Sequence, residues 1–473
     1  MKEINEPARS VPVMAETDVM VVGGGPAGLS AALAASREGV DTMLIERYSC
    51  FGGNITQSMI GTIAWYRYAK TVEAGGIGLE FERKAKEMGG SINTYNKGIL
   101  TTKMGEFLEH KGLLVNGEPT YEMLDTEMFK YVADTMVQEA NVVPLLHCTV
   151  VDAVKDGDII NGVITESKSG RQAIMAKRII DATGDADIAY YAGAPYQKDP
   201  KNKLMGVTLN FSCSGVDIKE FFPYYLNKIR EKPGILAYLR QSRELFFMDE
   251  LACLLEPINI GKNGKTDIPE DINIKNFWTN YADAGEINSF NGIHMNEIDC
   301  TDVWDLTKAE IEGRKRVIRA IKTLKKRTPG FKKARLKNIG SSLGTRESRK
   351  IIGQYNLTEH DVKNQARFEN SIGICPEFVD GFGTIILPTT GRYFHVPYGI
   401  ILPQKVENLL VAGRCVAGDK ISHAATRQMV CCAITGQGAG VAAAVSIKDN
   451  VTCRQVDISK VQKALKKQGV RIE

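Results

Sequence analysis

Residues 18–47, DVMVVGGGPAGLSAALAASREGVDTMLIER, decide the fold of this chain. An apolar run at residues 19–22 stops at the segment GGGPAG (residues 23–28), and a helical pattern of small residues follows it. A second apolar run, at residues 43–45, ends on Glu46. This order predicts the strand, glycine turn, helix and acid-tipped strand of a dinucleotide-binding βαβ unit.

The glycines of this segment have different expected roles. Gly23 allows the sharp turn, Gly25 lets the backbone approach a pyrophosphate, and Gly28 lets the helix pack closely on the strand. The phosphates are expected at the helix N-terminus, where free N–H groups and the helix dipole favour negative charge. Glu46 is placed to accept hydrogen bonds from ribose hydroxyls and would repel a 2′-phosphate, so FAD or NAD fits and NADP does not.

The composition is that of a globular protein. The chain has 473 residues, which suggests about two domains, with 43% hydrophobic and 25% charged residues. Its net charge of +4 requires neither nucleic acid nor an anionic membrane as a partner. No apolar run reaches membrane-spanning length, and the first 18 residues contain no apolar segment typical of a secretory signal. We therefore expect no nucleic-acid partner and no membrane partner.

The cysteines do not form a metal-binding pattern. Ten of them are dispersed along the chain, and no CxxC pair occurs. Iron–sulfur clusters and structural zinc need grouped thiolates, so no metal site is expected. Without an export signal, reduced thiols in a cytoplasmic protein are the expectation.

The segment after the βαβ unit is predicted to form a helix and then several short strands. Residues 125–140 have apolar residues at helical spacing. Residues 142–154 are rich in strand formers, and turn residues at 156–158 and 169–171 separate further short strands. Residues 205–216 are expected to form one longer strand.

The amino-acid composition changes twice along the chain. The middle, about 217–335, is rich in Lys and Asn and holds no glycine fingerprint of its own. The section 392–448 returns to the glycine-rich and strand-rich character of the first part. We expect an early and a late segment to form one cofactor domain, with the middle inserted as a second domain.

Three further motifs contain glycine at the end or the start of an element. IIDATGD (residues 179–185) and NLLVAGR (residues 408–414) are buried-type strands that end in small-residue turns. GQGAG (residues 436–440) is expected to open an Ala/Val helix. The N-terminus of that helix would meet the negative charge of a reduced flavin ring at N1–C2.

From about residue 16 to the C-terminal tail, the chain resembles the bacterial FAD-dependent oxidoreductase family, within the wider glutathione-reductase/p-hydroxybenzoate-hydroxylase-like flavoproteins. The resemblance rests on DVMVVGGGPAGLSAA, GGNITQ, IIDATGDADIA, TRESRKIIGQYNLT, HVPYGIILP, NLLVAGRCVAGD and TGQGAGVAAA, in this order. It implies an α/β fold with a Rossmann-like FAD-binding domain, a parallel sheet with a ββα layer, at residues 1–200 and 392–473. It also implies an inserted α+β substrate or cap domain at residues 201–391.

The resemblance also implies which residues contact FAD. They are Gly23, Gly25, Pro26, Ala27, Gly28, Glu46, Arg47, Gly52, Gly53, Asn54, Thr56, Val150, Ala182, Thr183, Gly184, Gly413, Gly436, Gln437, Gly438 and Ala439. In many wider relatives an Asp after the late glycine holds the ribityl chain, whereas here Arg414 follows and the nearest acid is Asp419. Either Asp419 reaches the ribityl chain or Arg414 contacts the pyrophosphate, and bidentate guanidinium–phosphate pairing favours Arg414.

Five side chains are candidates for the substrate chemistry: His395, Tyr398, Arg346, His423 and Arg427. Flavin chemistry needs a group that moves a proton, and the ordinary pKa of His395 suits that role. A hydrogen-bonded structural histidine is the alternative. Tyr398 is expected in the scaffold near the ring rather than as an acid. Arg427 would anchor a substrate carboxylate and His423 would transfer a proton, with helix surface and capping as the favoured alternative.

Arg346 and Arg349 lie close together in the segment GTRESR, and two arginines are costly to bury unpaired. Glu347 and Asp361 are their expected partners in a structural network, and an anion site is the alternative. Cys50 precedes the glycine loop at residues 52–53, where a packed thiol is favoured over a redox group.

The predicted function is hydride transfer between a small organic substrate and FAD, without an NAD(P)H domain because no second fingerprint is visible. Electrons would pass to oxygen, a quinone or a carrier protein. The alternatives are a flavin monooxygenase, or a flavoprotein that acts on RNA or within an electron-transfer complex. A homo-oligomer is left open.

Overall fold

The computed structural model describes residues 3–61, 72–92, 123–217, 285–382 and 392–473, with short pieces at 67–68, 114–115, 118–119, 219–221, 224, 278–282 and 384–386. Cys253 lies outside the described residues, as do parts of the Lys- and Asn-rich middle.

The helices of the described residues are numbered in chain order. They are α1 (Pro26–Arg37), α2 (Asn54–Gln57), α3 (Gly76–Glu87), α4 (Met128–Glu139), α5 (Asp187–Tyr191), α6 (Val303–Arg327), α7 (Glu359–Lys363), α8 (Lys420–Thr426), α9 (Met429–Lys448) and α10 (Ile458–Lys467). Short 3₁₀ turns lie at Lys201–Lys203, Tyr398–Ile401 and Gly413–Cys415.

The strands are numbered in the same way. They are β1 (Val13–Val22), β2 (Thr42–Ile45), β3 (Arg67–Tyr68), β4 (Val72–Glu73), β5 (Ser91–Ile92), β6 (Leu114–Val115), β7 (Glu118–Pro119), β8 (Met123–Leu124), β9 (Val143–Leu145), β10 (Thr149–Asp156), β11 (Ile159–Ser167), β12 (Gly170–Asp181), β13 (Tyr196–Gln197), β14 (Val207–Thr208), β15 (Phe211–Ser214), β16 (Trp278–Ala282), β17 (Glu286–Asn291), β18 (His294–Met295), β19 (Arg335–Ile339), β20 (Lys350–Ile351), β21 (Ser371–Pro376), β22 (Val379–Gly381), β23 (Thr384–Ile386), β24 (Tyr393–Pro397) and β25 (Leu409–Val411).

The main sheet has seven strands among the described residues, ordered β10-β11-β12-β1-β2-β9, with β25 also paired to β12. Strands β9, β2, β1, β12 and β25 run parallel, and β10 and β11 form an antiparallel extension beside the first half of β12. Leu145, Ile45, Val22, Asp181 and Val411 lie in one row at the ends of the parallel strands. These carboxyl ends therefore meet at one edge, where doubly wound α/β proteins bind ligands.

The predicted βαβ unit and the α/β class are confirmed. Strand β1 ends where the glycine segment starts, α1 begins at Pro26, and β2 ends directly before Glu46. The helix predicted at 125–140 is α4, and the predicted short strands are the two hairpins β10–β11–β12.

Helices α1 and α9 pack closely because glycines replace side chains between them. A Cβ built at Gly436 would lie 2.0 Å from the carbonyl oxygen of Ala27, and one at Gly440 would lie 2.2 Å from that of Ala31. No side chain fits at either position without a shift of backbone. The small-residue pattern of residues 436–440 thus serves the packing of two helices.

The predicted start of the glycine-rich helix is wrong. Helix α9 begins at Met429, so Gly436 lies in its third turn and not at its N-terminus. The helix is long and apolar enough to cross a membrane by length and composition. However, 94% of its most apolar stretch is buried inside the protein, as in a core helix.

The core around α1 and α9 extends further back along the chain than predicted. It contains Ile351, Leu357, Val362, Ile372 and Ile374, and β21 pairs with β24 in the late segment. The boundary predicted between residues 391 and 392 therefore cuts through one hydrophobic core. The sequence analysis placed it too late because residues 351–379 carry no glycine motif.

The inserted part combines an antiparallel sheet with a long helix. The sheet order is β16-β17-β15-β19, and α6 packs beside it, with Gly313 so close to Leu209 that a Cβ would lie 2.9 Å from that side chain. Asp302 caps α6 by accepting hydrogen bonds from the N–H groups of Trp304 and Asp305. The single strand predicted at 205–216 is instead two short strands, β14 and β15.

The glycine contact between the helices gives a stability prediction. Gly440→Ala should lower the free energy of unfolding by about 1–3 kcal/mol, because its methyl group overlaps a backbone carbonyl. Gly157→Asn is the control, since a Cβ there meets nothing within 4 Å and Asn tolerates its positive φ. Urea denaturation of both variants measures the difference, and equal small effects would contradict the close packing.

Candidate cofactor and substrate site

The glycine segment after β1 has the geometry of a dinucleotide cradle. Gly23 has a φ of +101°, and its N–H donates to the carbonyl of Ile45 at 2.8 Å. A Cβ at Gly28 would lie 1.7 Å from the carbonyl oxygen of Gly23, which fixes the helix against the turn. A Cβ at Gly25 would meet only the Cα of Gly53, at 3.7 Å. Gly25 therefore borders open space, where a pyrophosphate can approach the backbone.

The N-terminus of α1 has donors for an anion. Pro26 occupies the first turn, and no side chain caps the helix. The first intrahelical hydrogen bond of this turn runs from the N–H of Leu29 to the carbonyl of Gly25, at 2.9 Å. The N–H groups of Ala27 and Gly28 precede it and have no intrahelical acceptor, so they suit a phosphate.

Glu46 holds the cradle from the neighbouring strand. Its buried carboxylate accepts hydrogen bonds from the N–H of Gly24 at 2.7 Å and from that of Tyr48 at 3.0 Å. Arg47 is exposed, with its guanidinium 4.9 Å from the centre of the Tyr48 ring. Val150 is half-buried at the start of β10, two residues after Cys148, whose N–H donates to the carbonyl of Glu46.

The glycine loop at residues 52–53 covers the cradle. The N–H of Gly52 donates to the carbonyl of Gly24 at 2.7 Å, and Gly53 lies against Gly25. Asn54 begins α2 and donates from Nδ2 to the carbonyl of Thr345 at 3.0 Å, which ties the loop to the GTRESR segment.

Thr56 does not fit its predicted role. It is buried, and its hydroxyl donates to the carbonyl of Phe51 at 2.8 Å. That proton is therefore not directed at a flavin. Cys50, in the same loop, is buried and accepts a hydrogen bond from Nε2 of Gln57 at 3.1 Å between nitrogen and sulfur, as a packed residue would.

The turn after β12 depends on a buried carboxylate. Asp181 accepts hydrogen bonds from the N–H and hydroxyl of Thr183, at 3.1 and 2.7 Å, and from the N–H of Ala189 at 2.9 Å. Complete burial raises the pKa of Asp181 to about 6, and the three hydrogen bonds offset only part of that increase. Ala182 is buried and Gly184 has a φ of +80°, so this turn stays close to the cradle.

Arg414 fills the space beside that turn. Its Nη2 lies 3.2 Å from Oδ1 of Asp185 and would be 2.5 Å from a Cβ at Gly184. Its Nη1 is buried without a hydrogen-bond partner among the described residues. A contact with pyrophosphate stays a prediction for Arg414.

Asp419 does not have the predicted ribityl role. Its two oxygens accept hydrogen bonds from the N–H of Ser422 at 2.8 Å and from that of Glu359 at 2.6 Å. It is the N-cap of α8 and joins this helix to α7.

The segment 436–439 also has a different role from the predicted one. Gly436 faces Ala27, a Cβ at Gly438 would lie 2.5 Å from the Ile372 side chain, and Oε1 of Gln437 accepts from the N–H of Ile77 at 2.9 Å. Ala439 is fully buried in the same helix. These residues pack α9 against protein and leave no space for FAD.

The remaining residues fit FAD. The open cradle at Gly25 suits the diphosphate. Three buried polar atoms have no hydrogen-bond partner within the described part of the chain, namely Nη1 of Arg414, Nε of Arg427 and Nδ1 of His423. Gly413 starts the 3₁₀ turn after β25 beside Ala27 and is held by a hydrogen bond from its N–H to the Thr435 hydroxyl, at 3.0 Å. When bound, FAD would supply a flavin ring that accepts or donates two electrons.

His395 and Tyr398 have structural contacts. Nδ1 of His395 accepts from the N–H of Phe368 at 3.1 Å, and its ring stacks on Tyr393. Burial lowers the pKa of His395, although the carbonyl oxygen of Phe368, 3.3 Å from Nδ1, acts in the opposite direction. The Tyr398 hydroxyl donates to the carbonyl of Cys453 at 2.7 Å, and burial raises its pKa well above the ordinary value. Tyr398 is therefore part of the scaffold, and His395 is in the alternative, hydrogen-bonded position.

The favoured alternative placed His423 and Arg427 on the helix surface, but neither side chain is exposed. Nε2 of His423 lies 3.1 Å from the carbonyl oxygen of Arg346, and burial with the charges of Lys350 and Arg427 holds its pKa well below the usual range. His423 is thus a neutral and weak base. Arg427 donates from Nη2 to the carbonyl and to Oδ2 of Asp380, the latter at 2.8 Å.

The arginines of GTRESR do not have the predicted partners. Arg346 donates from Nη1 to the carbonyl of Gly206 at 2.7 Å and lies 3.2 Å from Nδ1 of His294. Arg349 pairs with Asp187 at 2.8 Å. The expected acids are used elsewhere, because Glu347 pairs with Lys350 at 2.6 Å and Asp361 caps α7.

The sequence analysis missed His294 and Asp380, which lie in segments without a motif. It also missed Asn210, a fully buried residue whose side-chain amide has no hydrogen-bond partner at oxygen or nitrogen among the described residues. No group of three or more His, Cys, Asp or Glu side chains in the described part of the chain could hold a metal ion.

The position of Glu46 gives a prediction on FAD affinity. Glu46→Gln should weaken FAD binding about tenfold or more, because one of the two backbone N–H groups loses its acceptor and the cradle loses its charge. Glu16→Gln, at an exposed position on β1, is the control. Fluorescence titration of the refolded apoprotein with FAD measures the affinity of both variants. Unchanged affinity in Glu46→Gln would show that the carboxylate does not contribute to FAD binding.

Asp181 gives a prediction on the pH dependence of stability. A folded-state pKa of about 6, raised from 3.8, adds stability at low pH that is lost as the pH rises through about 6. Between about pH 5 and about pH 7, wild type should lose about 1 kcal/mol that Asp181→Asn does not lose. Urea denaturation of both proteins at the two pH values tests this. An equal change in the free energy of unfolding between the two pH values in both proteins would contradict it.

The chain is similar in part to several known proteins. The chain is 30% identical over 204 residues to the thiamine thiazole synthase of Methanococcus vannielii, covering 41% of this chain and 63% of that protein, which is less than two thirds of its length. A geranylgeranyl bacteriochlorophyll reductase-like protein of Thermoplasma acidophilum covers 96% of this chain and 83% of its own, with 15% identity and a TM-score of 0.44. A myxobacterial chondrochloren halogenase covers 96% and 79%, with 11% identity and a TM-score of 0.45.

A family model covers far more of the chain than the alignment with thiamine thiazole synthase does. A sequence model described as FAD dependent oxidoreductase matches residues 18–465, which is nearly the whole chain. The chain therefore belongs to the FAD-dependent oxidoreductase family, and it is an enzyme with FAD as its cofactor.

Proposed function

We propose that the protein transfers a hydride between a small organic substrate and FAD, and that it has no NAD(P)H domain of its own. The observation that carries the proposal is a group of polar side chains at the junction of the cofactor part and the inserted part, each with a buried atom that has no hydrogen-bond partner among the described residues. They include Asn210, His423 and Arg427. Buried polar groups are normally hydrogen-bonded, so such a set supports a bound ligand.

The junction lies beside the loop that covers the cradle. The N–H of Gly340 donates to the carbonyl of Asn210, and a Cβ at Gly340 would lie 3.2 Å from the carbonyl oxygen of Gln57 at the end of α2. Thr208, two residues before Asn210, lies against Gly344, where an added Cβ would be 2.9 Å from the Thr208 hydroxyl. A substrate bound to Asn210 would therefore be close to the residues that cover the cofactor.

The residues of the chain have supporting tasks in this proposal. The glycine cradle and Glu46 bind the dinucleotide, and the inserted sheet excludes water from the substrate. His423 orients the substrate through Nδ1 rather than removing a proton, because burial and the neighbouring cations hold its pKa below the usual range and disfavour its protonated form. Electrons would leave to oxygen, a quinone or a carrier protein, since only one fingerprint of the dinucleotide type occurs in the sequence.

An anaerobic screen tests the proposal. The oxidised protein is mixed with single metabolites in the absence of nicotinamides, and we expect one class of compound to bleach the flavin absorbance. Readmission of oxygen, or addition of a soluble quinone, should then restore it and give turnover.

Two results would overturn the proposal. If NADPH alone bleaches the flavin and no metabolite does, the reducing substrate is a nicotinamide. If substrate-stimulated oxygen consumption requires NADPH and gives an oxygenated product, the protein is a monooxygenase.

A further inference from the structure

Two guanidinium groups lie near one carboxylate at the junction. Arg427 is paired with Asp380 at 2.8 Å, and its side chain is 11% exposed, whereas that of Asp380 is 49% exposed. Arg346 is half-buried and close enough to interact electrostatically with Arg427 and Asp380, but it forms no ion pair with a carboxylate among the described residues. Burial, followed by repulsion from Arg427, lowers the pKa of Arg346 to about 10, so it stays charged at neutral pH. Burial opposes the ionisation of Asp380, but the two arginines outweigh it and lower its pKa.

The other charged groups nearby do not balance the second arginine. Lys350 is neutralised by Glu347 at 2.6 Å, and Arg414 by Asp185 at 3.2 Å. His423 is neutral, as argued above. Among the described residues of this cluster, the positive charge of Arg346 is therefore left without a carboxylate partner.

Several donors and acceptors at this place are not used by the protein. Nε of Arg427 and Nδ1 of His423 are buried without a hydrogen-bond partner among the described residues. Arg346 uses Nη1 for Gly206 and His294, and no hydrogen bond from its Nε or Nη2 occurs in the described part of the chain. Removing polar and charged groups from water without a partner costs free energy, so a ligand that pairs with these groups would be stabilised here.

The two arginines come from different segments of the chain. Arg346 follows Thr345, whose carbonyl binds Asn54 at the start of the covering loop. Arg427 ends α8 and comes two residues before the first residue of α9. They belong to segments about 80 residues apart, and they come together only in the folded protein.

We infer that Arg346 and Arg427 bind the carboxylate of a monoanionic organic acid, which is the substrate of the hydride transfer proposed above. A planar carboxylate accepts paired hydrogen bonds from guanidinium N–H groups, and a single negative charge matches the single charge left over. Nδ1 of His423 then accepts a hydrogen bond from a neighbouring polar group of the same molecule. The carboxylate fixes the orientation of the acid beside the cofactor and does not itself react.

Binding of simple anions to the FAD-loaded protein tests the inference without turnover. The probes are acetate and benzoate, their neutral amides acetamide and benzamide, and inorganic phosphate. Isothermal titration calorimetry and the difference spectrum of the flavin are the readouts. We expect at least one carboxylate to bind saturably and to perturb the flavin spectrum, and its amide to bind at least about tenfold more weakly.

Variants connect the binding to the two arginines. Arg427→Gln and Arg346→Gln should each raise the dissociation constant of the carboxylate at least about tenfold, and Arg427→Lys should have a smaller effect because it keeps the charge but loses the paired geometry. Arg314→Gln is the matched control, since Arg314 is an exposed residue of α6 paired with Glu310. Circular dichroism and FAD content identify a variant that fails to fold, and Arg427→Lys then carries the comparison.

The outcomes separate this inference from the proposed function. Equal binding of acid and amide, unchanged binding in the arginine variants, or tight binding of phosphate in place of carboxylates would overturn the carboxylate site. Arginine-dependent carboxylate binding together with no bleaching by any metabolite would uphold the site and overturn hydride transfer. Bleaching by a neutral compound with unchanged kinetics in both variants would uphold hydride transfer and overturn the site.

Discussion

The register of the parallel strands is the constraint on which the site depends. Because β9, β2, β1, β12 and β25 are hydrogen-bonded with their last residues in one row, the loops that follow them start at the same edge. A slip of one residue in any pair would turn buried side chains toward the opposite face of the sheet. The glycine cradle, Glu46, the turn after Asp181 and Gly413 are therefore brought together by sheet pairing, before any contact with a ligand.

Glycine determines how closely the other layers approach that edge. Gly28 lets α1 touch the turn, and Gly436 and Gly440 let α9 touch α1. The donors at the N-terminus of α1 are thus fixed by backbone packing, which is stiffer than a side-chain contact. A preformed set of N–H groups costs little reorganisation when an anion binds, which favours tight binding of a dinucleotide.

The sequence predicts the cofactor half of this molecule well because its determinants are local. The turn from β1 into α1 and the acid at the end of β2 follow from spacing alone. The errors have one physical origin. A run of glycines in GQGAG can start a helix or let two helices touch, and only the partner, Ala27 and Ala31, decides between these roles. Asp419 and Thr56 were misjudged for the same reason, since a nearby backbone N–H or carbonyl uses them first.

The substrate half is less predictable because its groups are far apart along the chain and belong to no motif. Arg346 and Arg427 were candidates from their residue type, but the imbalance of charge is seen only in the fold, where Asp380 pairs with Arg427 and Arg346 has no carboxylate partner among the described residues. Burial also changes the chemistry that the residue type suggests. A histidine is ordinarily an acid–base group, but burial among cations lowers the pKa of His423 and favours its neutral form. Charged groups at the junction can therefore change without altering the strand register on which the cofactor cradle depends.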